Sequence, residues 1–554
     1  GIRPASTRGP GRTSTGTTTR TPVAAIGASS ERYQPGDAMN PGTNTSTCSA
    51  EAGPSRREPD GSRTATVQQV RRPGPSHRQD SEHTATHDGD TVSEPLNAPP
   101  GRRIEDYRAD VPPDEVAATR ARNARSIAMQ AYLHAFPAWL HLRQLTEFIQ
   151  GRRFLAPDEC PLGGWFLMRE LATPATTTVS PNVDTLYGAS YVLLDRQGPV
   201  VLRVPPIPDR YFSVALLDAY FDTVAVVSPR TAGNQGGTWV IVPPRWEGEL
   251  PSSVQVVRAT TPSVCVLQRI FIRSEEEYDL VRSWQDRITL APLSSLWSEG
   301  DRFALDLDLT EFEVPGMRAT TDPLVFFEHV NRYTGENPPA ASDDGLMALF
   351  RTVGLGPGAT LPEDEVLRRA IVEGADDARD LIDATISAAP TRGGWQVPDR
   401  TAGIPGPHIL RRAAVQMSQM GIFPNEEAMY FFAFRDADDR TLDGAGRYHL
   451  TFPAGGLPPL HEHGFWSLTM YDRNSLLAEN PAGRYALRPD ATTFTYAEDG
   501  SLTLVLSAAL PDDVPEGNWL PMPQGAGNIA LRAYQPTPAI VDGDWFPPPV
   551  VRVA

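Results

Sequence analysis

Gly464-Phe465-Trp466-Ser467-Leu468-Thr469-Met470-Tyr471-Asp472 alternates with a period of two. Read as a strand, it turns Phe465, Ser467, Thr469 and Tyr471 to one side and Trp466, Leu468, Met470 and Asp472 to the other. Each face then carries large apolar groups and at least one polar group, which suits a strand buried on both faces or bordering a cavity. Similar runs surround it: Ala428 to Phe434, Tyr448 to Phe452, Tyr485 to Leu487, Thr493 to Tyr496, Leu502 to Ser507 and Ile529 to Tyr534. Asp-Gly pairs at Asp443-Gly444, Asp499-Gly500 and Asp542-Gly543 punctuate them as hairpin signals.

An earlier stretch has the same texture. Leu186 to Leu194, Val200 to Val204, Tyr211 to Leu217, Thr223 to Ser228, Thr238 to Val242, Val254 to Arg258 and Cys265 to Ile272 are separated by Pro- and Gly-rich breakers. That spacing predicts a sandwich or jelly roll. Between the two β-rich regions, acidic residues open apolar-periodic runs, as at Glu275-Glu276-Glu277, and predict helices. A further helix is expected over Val111 to Gln150, kinked or split by Pro137, which lacks an amide proton. The fold class expected is mainly β with a helical connector (α+β), built on two jelly-roll-like β-sandwich domains. The boundaries read are 1–107 for a disordered Pro/Ser/Thr/Arg-rich leader, 108–273 for a helical entry and first β-domain, 274–414 for the connector and 415–554 for the second β-domain.

A formal charge of −18 over 554 residues opposes nucleic acid as a partner, because phosphate neutralisation needs a basic footprint. No apolar run is long enough to cross a membrane; the densest, Tyr211 to Val227, is broken by Asp218 and Asp222. Three widely spaced cysteines, Cys48, Cys160 and Cys265, make neither a disulfide framework nor a zinc ribbon. The first residues hold no secretory apolar segment, and the compartment, export included, stays open.

The ordered motifs resemble a two-domain family carrying DUF 1254 at the N-terminal side and DUF 1214 at the C-terminal side. The first is carried by Pro181-Asn182-Val183-Asp184-Thr185-Leu186-Tyr187, Asp209-Arg210-Tyr211 and Leu217-Asp218-Ala219. The second is carried by Leu442-Asp443-Gly444, Phe465 to Asp472, Asn518-Trp519-Leu520-Pro521, Leu531-Arg532-Ala533-Tyr534 and Asp542-Gly543-Asp544-Trp545. The resemblance covers roughly residues 128–553. It implies a pair of jelly-roll-like domains joined by helices, and it implies no reaction. The leader and His461-Glu462-His463 stand outside its pattern.

Chemistry is read residue by residue. Asn182, Asp184 and Tyr187 form a polar turn-to-strand motif, in which Asx turns are the bland alternative. Asp184 and Tyr187 are the catalytic candidates, Asp184 as a base only where burial raises its pKa. Arg210 suits a carboxylate clamp or an ion pair with Asp218. Trp466, Tyr471, Asn518, Trp519 and Arg532 supply indole, phenol, amide and guanidinium groups compatible with a stacking platform for a flat polar ligand. His461 and His463, with His449, would suit a cupin-like site, but no Glu follows at the required spacing, so no metal and no other cofactor is expected. The hydrolase elbow, P-loop, dinucleotide fingerprint and zinc-protease helix are absent from the sequence. Two functions remain: binding, with or without processing, of a small polar or carbohydrate-like molecule in a cleft, or a non-catalytic assembly role. Homo-oligomerisation stays open.

Overall fold

The computed structural model describes residues 111–554, less 151–159, 177, 299, 301–302, 304–321, 491 and 554. The expected disordered leader lies outside the described residues. Nineteen strands make four mostly antiparallel sheets among the described residues.

The first nine strands are β1 (Phe166–Leu167), β2 (Thr185–Leu193), β3 (Val200–Val204), β4 (Phe212–Leu217), β5 (Thr223–Val227), β6 (Gly237–Val242), β7 (Gln255–Arg258), β8 (Ser263–Phe271) and β9 (Thr289–Pro292). They form two sheets, ordered β1-β2-β8-β4-β5 and β7-β6-β3-β9. The sheets close on a core of Leu186, Phe212, Val214, Leu216, Val266 and Ile270 from one and Val200, Leu202, Trp239 and Ile241 from the other. The period-2 pattern places these residues on one face.

The remaining strands are β10 (Thr391–Arg392), β11 (Trp395–Gln396), β12 (Ala428–Ala433), β13 (Tyr448–Phe452), β14 (Trp466–Asp472), β15 (Ala486–Leu487), β16 (Leu502–Ser507), β17 (Trp519–Pro521), β18 (Gly527–Tyr534) and β19 (Val551–Arg552). They form sheets ordered β10-β11-β12-β18-β14-β15 and β17-β16-β13-β19. Met429, Phe431, Leu468 and Leu531 meet Leu450, Phe452, Leu502 and Leu504 between them. Strand for strand, β12 to β19 repeat the pairing of β2 to β9, down to the single parallel contact in each sandwich, β6 with β7 and β16 with β17.

Thr493 to Tyr496, expected as a strand, joins no ladder. Its backbone is bonded instead by the Asn518 side chain: Thr495 N–H donates to Asn518 Oδ1 at 2.9 Å, and Asn518 Nδ2 donates to Thr495 O at 2.8 Å. An amide side chain there presents the same donor and acceptor as a strand neighbour. The connector read as helical also contains β9, β10 and β11, which are four residues or shorter and leave no periodic signature.

Helices cover the part of the β2–β8–β4 sheet's outer face that carries Tyr191, Leu217 and Cys265. The helix Pro113–Ile149 runs through Pro137 as one element, so the chain is not split there. Proline removes one intrahelical hydrogen bond, and the burial of Phe136, Ala138 and Trp139 on either side holds the chain helical regardless. The helix Glu365–Ser387 packs on it through Ala370, Gly374 and Ala378, one face at i, i+4 and i+8. A Cβ at Gly374 would stand 2.3 Å from Arg125 O and 2.9 Å from Ala128 Cβ. Gly374→Val is therefore expected to destabilise by about 1–3 kcal/mol through overpacking, more than helix propensity returns. A denaturation midpoint at or above the parent value would show that the two helices separate without cost. Among the described residues, no helix is long and apolar enough to cross a membrane.

Candidate functional site

The facing sheets of the two sandwiches meet on their outer faces. In the first sheet Tyr187 pairs with Arg269 and Arg269 with Ser213. In the second Tyr430 pairs with Arg532 and Arg532 with Ser467. Alternation turns these rows, and the aromatic rings beside them, toward each other. Phe465 stacks on Phe271 at 4.1 Å and on Tyr534 at 4.3 Å, and Tyr211 lies 5.0 Å from Tyr534.

Asn182 is the hub of the polar part. Its Nδ2 donates to Tyr187 OH at 2.8 Å and to Tyr534 OH at 2.9 Å, while its Oδ1 accepts from the backbone of Asp184 and Thr185. The Asx turn and the polar cluster are thus one structure, because the amide's acceptor closes the turn and its donors reach the phenols. Burial raises the pKa of Tyr430 and Tyr471, and takes that of Tyr534 well above the ordinary phenol value, so these rings stay protonated.

Asp184 is fully buried; its Oδ2 accepts from Ser467 Oγ at 2.6 Å and its Oδ1 lies 3.7 Å from Arg488 Nη1. Arg532 donates to Thr469 Oγ1, Ser180 O and Tyr471 OH, and Tyr471 OH donates to Pro181 O. Asn182, Asp184, Tyr187, Tyr471 and Arg532 therefore come together from both halves of the chain.

Four other candidates lie elsewhere. Arg210 makes a two-pronged bond to Glu277, at 2.7 and 3.1 Å, and lies over Trp284. Asp218, proposed as its ion-pair partner, instead accepts from Tyr220 N–H, Asp222 N–H and Thr260 Oγ1. Trp466 points into the second sandwich core, stacked on Phe494. Asn518 ties down the 493–496 segment, and Trp519 Nε1 donates to Ser507 O. His461 lies exposed in a turn, and among the described residues no three His, Cys, Asp or Glu side chains gather as a metal site would require.

Sequence reasoning missed Arg269, Tyr430, Phe423 and Glu427. A signal was present: Pro181-Asn182-Val183-Asp184-Thr185-Leu186-Tyr187 recurs as Pro424-Asn425-Glu426-Glu427-Ala428-Met429-Tyr430.

A cleft of about 1060 Å³ opens beside the cluster. Tyr430, Phe432 and Phe434 form one wall, Leu410 and Val415 of the helix Ile409–Gln419 another, and Ser180 also lines it, with Asp399, Arg400, His408 and Arg411. Ser180 has a φ of 50°, a left-handed conformation for a non-glycine residue, and its carbonyl accepts from Arg532. Tyr430 is thus shared between cleft and cluster.

Two family models match the chain. One described as a protein of unknown function, DUF1254, covers residues 165–292; another described as a protein of unknown function, DUF1214, covers residues 427–538. Among solved structures, the VPA0106 protein from Vibrio parahaemolyticus is similar with a TM-score of 0.59 and 22% identity, over 78% of this chain and 100% of that one. That likeness shows the fold. An uncharacterized protein from Burkholderia cenocepacia gives a TM-score of 0.39 and 14% identity, over 80% of this chain and 91% of that one. No curated protein matches the chain.

Proposed function

We propose that this chain, in which a DUF1254 region precedes a DUF1214 region, binds a small molecule with a polar head in the cleft beside Tyr430. The polar cluster equips it to process that molecule. In this reading the two sandwiches are jelly-roll-like domains, and the helix Ile409–Gln419 supplies the cleft wall opposite Tyr430.

The observation that carries the reading is the continuity, through Tyr430 and Ser180, of a cleft with aromatic and aliphatic walls and a charged rim of Asp399, Arg400, His408 and Arg411 with a buried set of phenol, amide and guanidinium groups. Ligand sites combine an apolar lining with a few convergent polar groups in this way. The indoles of Trp466 and Trp519 are committed to the second sandwich, so any stacking on a flat or carbohydrate-like ligand in the cleft falls to Tyr430, Phe432 and Phe434.

A thermal-shift screen of small metabolites against the full chain tests the reading, since a ligand that binds only the native state raises its midpoint by mass action. A specific hit is expected, abolished by Val415→Trp, which fills the cleft wall. Absence of any hit, with an oligomer that persists on dilution, would favour a non-catalytic assembly protein instead.

A further inference from the structure

The two sandwiches repeat each other residue by residue where they face. Asp184 precedes β2 as Glu427 precedes β12, each two residues after a Pro-Asn pair. Ile272 N–H donates to Asp184 O as Gln535 N–H donates to Glu427 O. Asp218 and Asp472 each accept, through Oδ1, from the amides two and four residues on. Both acids are fully buried, and each is held by the other half: Asp184 by Ser467 and Arg488, Glu427 by Ser228 and Arg230. By ladder position, Tyr187, Arg269 and Ser213 correspond to Tyr430, Arg532 and Ser467.

Against that shared plan the two arginines differ. Arg532 is satisfied by Thr469, Tyr471 and the carbonyl of Ser180, the residue before Pro181. The corresponding positions in the other copy are Ala215, Leu217 and Phe423, the residue before Pro424. Ala215 and Leu217 lack the side-chain acceptors that Thr469 and Tyr471 offer, and Phe423, which keeps a backbone carbonyl as Ser180 does, turns its ring to Arg269. Arg269 is 7% exposed, its Nε and Nη1 have no hydrogen-bond partner, and no carboxylate lies within ion-pair distance among the described residues. It lies 4.0 Å over the Phe423 ring and 5.1 Å over Tyr187. Cation–π contact recovers part of what burying the charge costs, but a buried cation ordinarily also has a counter-charge.

We propose that the Arg269 row is a carboxylate-binding site for a small organic acid, whose apolar body occupies the cleft and whose carboxylate meets Arg269 beside Tyr430. One copy of the duplicated row is structural and the other has lost its internal partners to a ligand. The proposal rests on the cleft reading above and adds the head group to it. Tyr430 lines the cleft and its ring lies 6.0 Å from that of Tyr534, whose hydroxyl shares Asn182 Nδ2 with Tyr187, the ring under Arg269. Tyr187 and Tyr534 accept from Asn182, which leaves each phenol its own proton to donate toward an anion. Phe432, Phe434, Leu410 and Val415 on the cleft walls favour an acid with a hydrocarbon body over inorganic phosphate, and of the cations that also line the cleft Arg411 is paired with Asp399 and Arg400 donates to Asp542 O. Arginine's planar fork matches a carboxylate's two oxygens.

Titration calorimetry on the full chain, with octanoate, octanol and inorganic phosphate as probes, tests this. Octanoate is expected to bind at least about tenfold more tightly than octanol, the increment of a charge-assisted hydrogen bond. Arg269→Gln is expected to erase that difference and leave octanol unchanged, Ala215→Thr to reduce it by giving Arg269 an internal acceptor, and phosphate not to compete. Equal affinities for octanoate and octanol in the parent chain overturn the Arg269 site and leave the cleft reading standing. That comparison needs no variant, so a misfolded Arg269→Gln does not rescue the idea. Phosphate binding as tight as octanoate overturns the organic-acid assignment. Failure of both eight-carbon probes to bind, with Val415→Trp titrating like the parent, overturns this site and the cleft reading together.

Discussion

Asp184→Ala is expected to destabilise the chain by about 3–5 kcal/mol, the usual cost of removing one partner from a buried ionic contact. The carboxylate is fully buried, accepts from Ser467 across the sandwich interface and faces Arg488, itself 7% exposed. Without Asp184, Arg488 keeps its donation to the carbonyls of Ile272 and Arg273 and its approach to Asp490 at 3.5 Å, so the low end of that range applies if Asp490 swings in. Asp184→Asn, which keeps the volume and an acceptor oxygen, should lose less, about 1–3 kcal/mol. The sign separates two roles. A residue retained as a catalytic base is commonly neutral or stabilising to remove, because active-site charges are held against stability. A residue that straps two sandwiches together is not. Urea denaturation of the parent, Asp184→Ala, Arg488→Met and the double variant forms a cycle whose coupling isolates the pair. A loss below about 1 kcal/mol for Asp184→Ala would remove the strap and return the residue to the catalytic candidates.

The strands were legible because period-2 alternation and Gly/Pro punctuation are local. The run Trp466–Asp472 needs no partner to reveal which of its residues share a face. The short strands were not, since β9 and β17 hold four and three residues and acquire their conformation from the sheets they edge. The site was half legible for a related reason. Asn182, Asp184, Tyr187, Tyr471 and Arg532 stand in dense polar-aromatic motifs, whereas Arg269 sits in Val264-Cys265-Val266-Leu267-Gln268-Arg269-Ile270, where a lone charge reads as a strand edge. Only comparison of the two halves shows that it occupies the Arg532 position. Trp466 and Trp519 misled because aromatic type does not say which face a strand turns inward, and both face the second core or its rim.

Lowering the pH is expected to remove stability contributed by one buried ring of the helical layer, His141. The imidazole is fully buried, its Nδ1 lies 2.7 Å from Tyr333 OH, and burial pushes its pKa down to about 3. No carboxylate contributes to the shift. The unfolded chain takes up a proton near pH 6.5 and the folded chain only near 3, so stability falls as pH drops through that window. At 1.36 kcal/mol per unit the loss approaches roughly 4 kcal/mol by the lower end. His329 and His449, also lowered by burial, add to the slope with the same sign. Asp222, pushed up to about 7 by burial, and Asp218, Glu427 and Asp490, also raised by burial, oppose it by taking up a proton more readily in the folded state. Glu277, held down to about 2 by the Arg210 bond, loses its contribution only below the ordinary carboxylate range. Because these carboxylates oppose the imidazoles, the difference between the parent and a His141 variant, rather than the net slope, isolates the ring. His141→Gln leaves Tyr333 an acceptor and removes the titrating ring. Its unfolding free energy is expected to be lower than the parent's at pH 7 and to converge on it as pH falls to 5. Parallel pH profiles for the two chains would mean that the ring is hydrated or already protonated in the fold, and the acid sensitivity would have to be sought in the carboxylates.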